Sequence, residues 1–304
     1  MTNGDSESRS KNSAIRKTLN RIGAISNDRV EIFSLRTRDN SNLNVFRDPL
    51  SKVIFIEDYY VGDDEYESGK YRETPKLLTK AVGRDFEDVT DSERRFNSYR
   101  QFLTGKVICD FGCGAGSFLK RSQSAATNVY GVELQQGFLD DLNSVGIECH
   151  TSLQEIDREL DVITLFHCLE HLPDPTSILK VIHQKLKQEG IGILIVEVPH
   201  ARDFLIDHLE ISEFIEFTLW SQHLILHTRE SLRLLLADAG FKNIIIEGVQ
   251  RYNFANHLNW LANKTPGGHR LLLSIIETPE LISSYKNALL KIDSTDTIVA
   301  IANT

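Results

Sequence analysis

Three glycines alternate with other residues in the segment Asp-Phe-Gly-Cys-Gly-Ala-Gly, residues 110–116. The segment follows an apolar run typical of a strand and precedes a helical pattern from Ser117 to Ala126. Glycines in such a turn let a ligand lie against the bare backbone, and the following helix offers unpaired N–H groups. The turn therefore predicts a nucleotide-type cofactor site. Its spacing, G-x-G-x-G, differs from the G-x-G-x-x-G of dinucleotide-binding enzymes.

An acidic residue, Glu133, ends the next apolar run. A carboxylate at a strand tip can accept hydrogen bonds from both ribose hydroxyls of an adenosine group. Taken alone, Glu133 would be interpreted as a solvated strand end. Combined with the glycine turn, it predicts an adenosine-containing ligand.

Short apolar runs alternate with helical patterns from Lys106 onward, which predicts βα units and a parallel sheet. Helical patterns at 177–189 and 230–239 stop at Gly190 and Gly240, which we interpret as helix-ending glycines. The fold class we predict is α/β, with a doubly wound, seven-stranded, mostly parallel sheet. The expected strands are residues 106–111, 128–133, 146–150, 160–167, 190–198, 241–249 and 296–302.

The same pattern suggests three regions. We expect a flexible tail at residues 1–40, a strand and helical extension at 41–103, and the main domain at 104–304. Insertions at 199–228 and 250–294 interrupt the alternation. Extra segments after strands of an open α/β sheet lie where ligands bind, so we interpret both as a lid and a substrate wall.

Composition narrows the possible partners. The 304 residues carry a formal net charge of −9, which argues against a nucleic-acid partner, since a phosphate-binding face needs clustered basic residues. No apolar run is long enough to span a membrane and no signal-like segment is present, so we expect a soluble, cytoplasmic protein. The four cysteines lack zinc-ligand spacing, and we predict no metal site.

The glycine turn and Glu133, together with the segment Leu-Asp-Val-Ile-Thr-Leu-Phe-His-Cys-Leu-Glu-His-Leu-Pro-Asp-Pro at 160–175, resemble class I S-adenosylmethionine (SAM)-dependent methyltransferases. The resemblance covers about residues 104–249 and the last strand. The block Glu-His-Leu-x-Asp-Pro, residues 170–175, is a recurrent form in members that methylate sugars, quinones and other small molecules. The resemblance implies SAM as the cofactor.

The resemblance also implies a set of cofactor-binding residues at the strand tips. The glycines would cradle SAM, Asp110 would order the loop, and Glu133 would hold the ribose. Leu134, Ser152 and Leu153 would lie at the adenine, although many members carry Asp where Ser152 stands. Phe166 and His167 would lie beside the methionine end. The complete set is Asp110, Gly112, Gly114, Gly116, Glu133, Leu134, Ser152, Leu153, Phe166 and His167.

A hydroxyl acceptor must lose its proton as it is methylated, and histidine is the usual base near neutral pH. His171 follows the fourth predicted strand, near the expected methyl group, and His223 lies in the first insertion. We predict these two as catalytic, with structural roles as the alternative and with His227 and His257 as weaker candidates. Glu170 is expected to cap a helix rather than to orient a histidine.

The segments 220–228 and 250–269 resemble bacterial methyltransferases of glycan and polysaccharide assembly. This likeness implies a small-molecule acceptor, and we expect the hydroxyl of a sugar or glycan precursor, with nucleotide-linked sugars among the candidates. Two alternatives stay open: a SAM-binding protein without turnover, and an NAD-dependent oxidoreductase, which the glycine spacing disfavours.

Overall fold

The computed structural model of the chain describes residues 14–57, 59, 62, 82–270 and 272–304. Parts of the expected tail and extension, residues 1–13 and most of 58–81, lie outside the described residues. The strands are β1 (Glu31–Ser34), β2 (Val45–Arg47), β3 (Ile54–Phe55), β4 (Val107–Phe111), β5 (Asn128–Val132), β6 (Glu148–His150), β7 (Val162–Phe166), β8 (Ile193–Pro199), β9 (Ile225–Leu226), β10 (Lys242–Val249) and β11 (Thr297–Asn303).

Helices flank these strands, and residues 14–21 are helical as well. The remaining α-helices are α1 (Val82–Leu103), α2 (Ser117–Ser122), α3 (Gln136–Ser144), α4 (Pro175–Lys185), α5 (Ser212–Thr218), α6 (Arg229–Asp238), α7 (Phe254–Asn263) and α8 (Pro279–Lys291). Two helices start within two residues of the positions predicted from their sequences, at Pro175 and Arg229. Asp174 caps α4, which has proline at its first position, and Thr228 forms a reciprocal cap with Ser231 at α6.

The seven predicted strands form one sheet in the order β10-β11-β8-β7-β4-β5-β6. Strands β8, β7, β4, β5 and β6 run parallel, while β11 pairs antiparallel with both β8 and β10. The prediction of a doubly wound, mostly parallel sheet is confirmed. The chain runs outward from β4 through β5 to β6 and then crosses to β7 on the other side of β4. The tips of β4, β5 and β7 therefore meet at one edge, where ligands of such folds bind.

Apolar strands buried on both faces account for this sheet. Ile108, Ile163, Leu165, Leu194 and Val196 have no exposed surface. Helices α4 and α6 pack on one face through leucines and isoleucines of their predicted apolar stripes. The core therefore lies where the apolar periodicity of the sequence predicts it.

The expected flexible tail is wrong for the described residues 14–40. Ile15 and Leu19 lie one helical turn apart and are fully buried in a second apolar core. Arg16 and Arg21, which lie within the expected tail, pair with Glu57 and Asp238. The abundant polar residues mask this short amphipathic stripe, because only every third or fourth position is apolar.

That second core lies beside a small antiparallel sheet with the order β1-β2-β3-β9. Strands β1, β2 and β3 come from the N-terminal region, and β9 comes from the insertion at 199–228. Ile54 and Phe55 of β3 pair with Leu226 and Ile225 of β9. The insertion and the N-terminal region are therefore one structural unit, which local sequence patterns do not indicate because the pairing is long-range.

The prediction that α4 runs to Gly190 is also wrong, because the helix ends at Lys185. Leu186 leaves the helical conformation, is fully buried, and bridges to Leu160 beside β7. Burial of Leu186 against the sheet therefore ends the helix a turn early. Within the described residues, no helix has both the length and the apolar character needed to cross a membrane.

Candidate active site

The glycine turn leaves β4 and is held against the tip of β5 by its backbone. The N–H groups of Gly112 and Cys113 donate to the Val132 carbonyl at 2.8 and 3.1 Å. Gly112, Gly114 and Gly116 all have positive φ, the left-handed region that favours glycine. A Cβ on Gly112 would lie 2.6 Å from the sulfur of Cys168, so the close approach also requires glycine.

Glu133 connects this turn to the next strand tip. Its Oε2 accepts from the Gly114 N–H at 2.8 Å, and its Oε1 accepts from the N–H groups of Leu134 and Gln135 at 2.9 Å. A carboxylate offers about four acceptor positions, so three backbone bonds leave capacity for a hydroxyl group. The side chain is largely buried yet lines the cleft described next.

A cleft of about 1150 Å³ lies over the tips of β4, β5 and β7. Nine of the ten predicted cofactor residues line it; they are Asp110, Gly112, Gly114, Glu133, Leu134, Ser152, Leu153, Phe166 and His167. Gly116 does not line the cleft. A Cβ there would lie 2.3 Å from Leu142, so Gly116 lets α2 pack close to α3.

Asp110 lies at the floor of the cleft and is almost fully buried. Its carboxylate accepts a hydrogen bond at 2.6 Å from the Thr164 hydroxyl on the neighbouring strand β7. Burial raises the pKa of Asp110 to about 7, although the Thr164 bond and the nearby Arg95 oppose that rise. Asp110 therefore ties β4 to β7 beneath the glycine turn.

A charged network stands behind the tip of β7. Glu197 of β8 has no exposed surface, and its carboxylate accepts from Arg94 at 2.8 Å and from Arg95 at 2.7 Å. Burial opposes ionisation of Glu197, but Arg95 and His167 hold its pKa well below the usual range. Arg251, from the second insertion, bonds His167 Nε2 at 3.0 Å. The network fixes the helix α1 against the sheet beside the cleft.

Sequence patterns did not identify several residues that line the cleft from outside the sheet. Ser92 and Arg95 of α1 line it, as do Arg38 of the N-terminal region and Trp220 of the first insertion. The Arg38 guanidinium lies over the Trp220 ring, 4.6 Å from its centre. Ser92 and Arg95 are one helical turn apart, which is the signal that the sequence carried for them. Nothing local indicated that α1 would cover the cleft.

The two predicted catalytic histidines lie side by side. The rings of His171 and His223 have centres 5.1 Å apart, and Trp220 contacts both edge-on. The Nδ1 of His171 bonds the Gln222 carbonyl at 2.8 Å. His171 lines the cleft, whereas His223 packs behind it. Burial and the neighbouring His171 lower the pKa of His223 well below its usual range.

Glu170 does not cap a helix, contrary to the sequence-based expectation. It is fully buried, and its Oε1 lies 3.2 Å from the Nδ1 of His167. Burial opposes ionisation, but the bond to His167 and the nearby His171 lower the pKa of Glu170 to about 2. Glu170 lies five positions before α4, but Asp174 caps that helix and Glu170 faces histidines.

The weaker histidine candidates lie away from the cleft lining. His227 is fully buried and bonds the Ser231 hydroxyl at 3.1 Å, and His257 bonds the Tyr285 hydroxyl at 2.6 Å. Burial lowers the pKa of each to about 4. Their partners give both residues structural roles in packing the two insertions.

The residues of the cleft fit SAM. The glycine turn leaves room for a ligand beside the backbone, Glu133 offers acceptor capacity for ribose, and Leu134 and Leu153 supply apolar surface for adenine. Arg95 also lines the cleft, but its guanidinium is already bonded to Glu197.

Comparison with known proteins identifies the family. A family model described as a methyltransferase domain matches residues 84–245, which is more than half of the chain. The chain therefore belongs to this methyltransferase family. The predicted methyltransferase family is confirmed with it, and the oxidoreductase alternative is not favoured.

Curated relatives match over a shorter stretch. The ubiquinone biosynthesis O-methyltransferase of Pseudomonas aeruginosa (strain UCBPP-PA14) is 29% identical over 104 residues, which cover 30% of this chain and 44% of the relative. The protein of the same name from Ralstonia nicotianae is 32% identical over 99 residues, covering 29% and 42%. The chain thus spans less than half the length of these relatives.

A solved structure supports the fold. A SAM-dependent methyltransferase from Archaeoglobus fulgidus aligns with 71% of this chain and 94% of its own, with a TM-score of 0.50 and 19% sequence identity. At that identity the likeness shows the fold alone. It agrees with the seven-stranded α/β sheet predicted from the sequence.

Proposed function

We propose that the chain transfers the methyl group of SAM to a hydroxyl oxygen of a small-molecule acceptor. The observation that carries the proposal is one cleft that combines the predicted donor-binding residues with His171. Glu133 follows β5 and His171 follows β7, on opposite sides of β4. Donor and acceptor groups held at these two positions would meet above the glycine turn.

The donor site is formed by the turn residues Gly112 and Gly114 with Glu133. Their backbone and carboxylate groups are already fixed by hydrogen bonds, so binding of SAM requires little ordering. SAM itself supplies an activated methyl group on a sulfonium sulfur. The protein then has to align the acceptor oxygen with that methyl group and exclude water.

His171 is the general base in this proposal. Its Nδ1–H donates to the Gln222 carbonyl, so the neutral ring carries its lone pair on Nε2. That nitrogen can take the proton of the acceptor hydroxyl as the new O–C bond forms and the C–S bond of SAM breaks. His223 and Trp220 pack against the imidazole and position it.

The acceptor we propose is the hydroxyl of a sugar or glycan precursor linked to a nucleotide. The likeness of segments 220–228 and 250–269 to glycan methyltransferases supports this choice. Arg38 over Trp220 at the cleft adds a positive charge and a flat ring, which suit an anionic acceptor with a ring. The curated relatives carry O-methyltransferase names from ubiquinone biosynthesis, so hydroxyl-bearing precursors of ubiquinone form the second acceptor class to test.

The test is transfer of labelled methyl from SAM to a panel of nucleotide-linked sugars and ubiquinone precursors, followed by mass spectrometry of the products. We expect one acceptor class to gain a single methyl group on oxygen. His171→Gln should lower kcat by about 100-fold with an unchanged Kd for SAM, because it removes the base but no donor contact. Label on nitrogen or carbon, or full activity of this variant, would contradict the proposal. SAM binding with no transfer to any acceptor would favour the non-catalytic alternative.

A further inference from the structure

We propose that Glu170, His171 and His223 form a binding site for one divalent transition-metal ion beside the cleft. From the sequence we predicted no metal site, because that prediction rested on the spacing of the cysteines. Glu170 and His223 lie 53 positions apart, so no local spacing pattern connects them. One donor atom from each of the three side chains lies within 4.8 Å of the other two. Binding of the ion does not depend on the proposed function, whereas its role at the acceptor does.

The backbone holds the two contributing segments together. The N–H of Leu224 donates to the Glu170 carbonyl at 2.8 Å, and the Nδ1 of His171 bonds the Gln222 carbonyl at the same distance. A ligating histidine usually donates its other ring N–H to such a carbonyl, which fixes the ring and leaves the second nitrogen for the metal. The short turn after β7 and the loop before β9 therefore form a fixed frame.

Two polar atoms in this frame lack partners among the described residues. Glu170 Oε2 and His223 Nδ1 are both buried and make no hydrogen bond. An unpaired buried polar group costs on the order of 1–3 kcal/mol, and more when it is charged. Oε1 of Glu170 is held by His167, so Oε2 is the oxygen that would bind the ion.

The donor set indicates the kind of ion. Two imidazole nitrogens and one carboxylate oxygen suit Zn²⁺, Fe²⁺, Mn²⁺ or Co²⁺ better than Mg²⁺ or Ca²⁺, which prefer oxygen ligands. Metal–ligand distances of about 2.0–2.2 Å require the three donors to draw together by on the order of 1 Å. Three protein ligands leave at least one coordination position, and His171 lines the cleft from which a further ligand would arrive.

At this position the ion would bind the acceptor hydroxyl oxygen. A divalent cation lowers the pKa of a bound hydroxyl, whose proton then leaves to water. The oxygen forms its bond to the methyl carbon as the C–S bond of SAM breaks, and S-adenosylhomocysteine departs. In the metal-bound protein, the ion takes the place of His171 as the group that activates the acceptor.

The test is titration of the chelator-treated full chain with Co²⁺, followed by visible absorption and calorimetry, and then displacement with Zn²⁺. We expect saturation at one ion per chain. Glu170→Gln and His223→Asn should each weaken binding by about 10- to 100-fold or more. The matched control is His208→Gln, which alters an exposed histidine that bonds Ser294 and should bind as the wild type does.

If the wild-type chain does not bind one ion per chain, the proposed site is overturned. This outcome is measured on the wild type, so it does not depend on whether the variants fold. Unchanged affinity in both folded variants would overturn it as well. Methyl transfer measured in excess chelator separates the two proposals. Lost transfer that Zn²⁺ or Mn²⁺ restores supports the role at the acceptor. Full transfer in chelator contradicts that role and leaves the proposed methyltransferase function standing.

Discussion

The carboxylate of Glu133 accepts a hydrogen bond from the Gly114 N–H at 2.8 Å, which joins the turn after β4 to the tip of β5. The residue predicted to hold ribose therefore also shapes the turn predicted to cradle the donor. Changes at either position should affect the other through this bond, because both belong to one fixed surface of the cleft.

Gly114→Arg should abolish SAM binding. The new side chain would occupy the cleft that Gly114 lines, and φ of 54° at this position disfavours any residue but glycine. Calorimetric titration with SAM measures the loss. The matched control is Gly146→Arg, at an exposed glycine with φ of 80° and open space around it. The control shares the backbone strain but should retain wild-type affinity; equal affinity in both folded variants would refute the assignment of the turn.

His223→Ala should leave SAM affinity unchanged while lowering turnover. His223 packs against His171 and does not line the donor cleft, so its loss disturbs the acceptor end alone. The measurement is kcat beside Kd for SAM. Turnover equal to that of the wild type would show that His223 has no role at the acceptor end of the cleft.

The ring of His223 should stay neutral well below pH 6.5. Burial and His171 lower the pKa of His223 well below its usual range, so this ring takes up a proton only in more acid solution. An NMR titration of the histidine ring signals measures this directly. Proton uptake by His223 at the ordinary histidine pKa would contradict the buried packing of this ring.

Glu197→Gln should destabilise the chain by about 3–5 kcal/mol at pH 7, because it leaves Arg94 and Arg95 without a buried counter-charge. The folded-state pKa of Glu197 lies well below its usual range. Its stabilising charge is therefore present above the unfolded pKa and is lost as pH falls through the folded value. Urea unfolding at several pH values should show the gap between variant and wild type shrinking in acid. A gap independent of pH would contradict this account.

Leu19→Ala should lower the free energy of unfolding by about 2–5 kcal/mol, since it opens a cavity in the core beside the small sheet. Lys17→Ala, two residues away and exposed, should change it by less than about 0.5 kcal/mol. Chemical denaturation of the two variants is the comparison. Equal, small effects would support the flexible tail that the composition suggested.

The large sheet could be predicted from the sequence because a local pattern marks each of its strands. Each strand is a short apolar run, and the turn after β4 and the acid after β5 follow their strands directly. The chain order then brings them to one edge of the sheet. The edge of the sheet at which Gly114 and Glu133 lie could therefore be predicted from local patterns. The further cofactor residues Leu134, Ser152, Leu153, Phe166 and His167 were implied by the family resemblance.

The acceptor side could be predicted only in part, because long-range pairing builds it. Strand β9 of the insertion pairs with β3 of the N-terminal region, and this contact places Trp220 and His223 beside His171. No local pattern encodes that pairing. Glu170 was wrongly expected to cap a helix. Its bonded partner His167 lies only three residues earlier, but His223 reaches the same site from the insertion, which no local pattern indicates.

The most direct test of the central claim is calorimetric titration of the purified chain with SAM, S-adenosylhomocysteine and NAD, side by side. The account predicts saturable one-to-one binding of the first two ligands and none of NAD, because the turn and Glu133 suit an adenosine group without a second phosphate site. Binding of NAD alone, or of none of the three, would contradict the assignment of the cleft as a methyl-donor site.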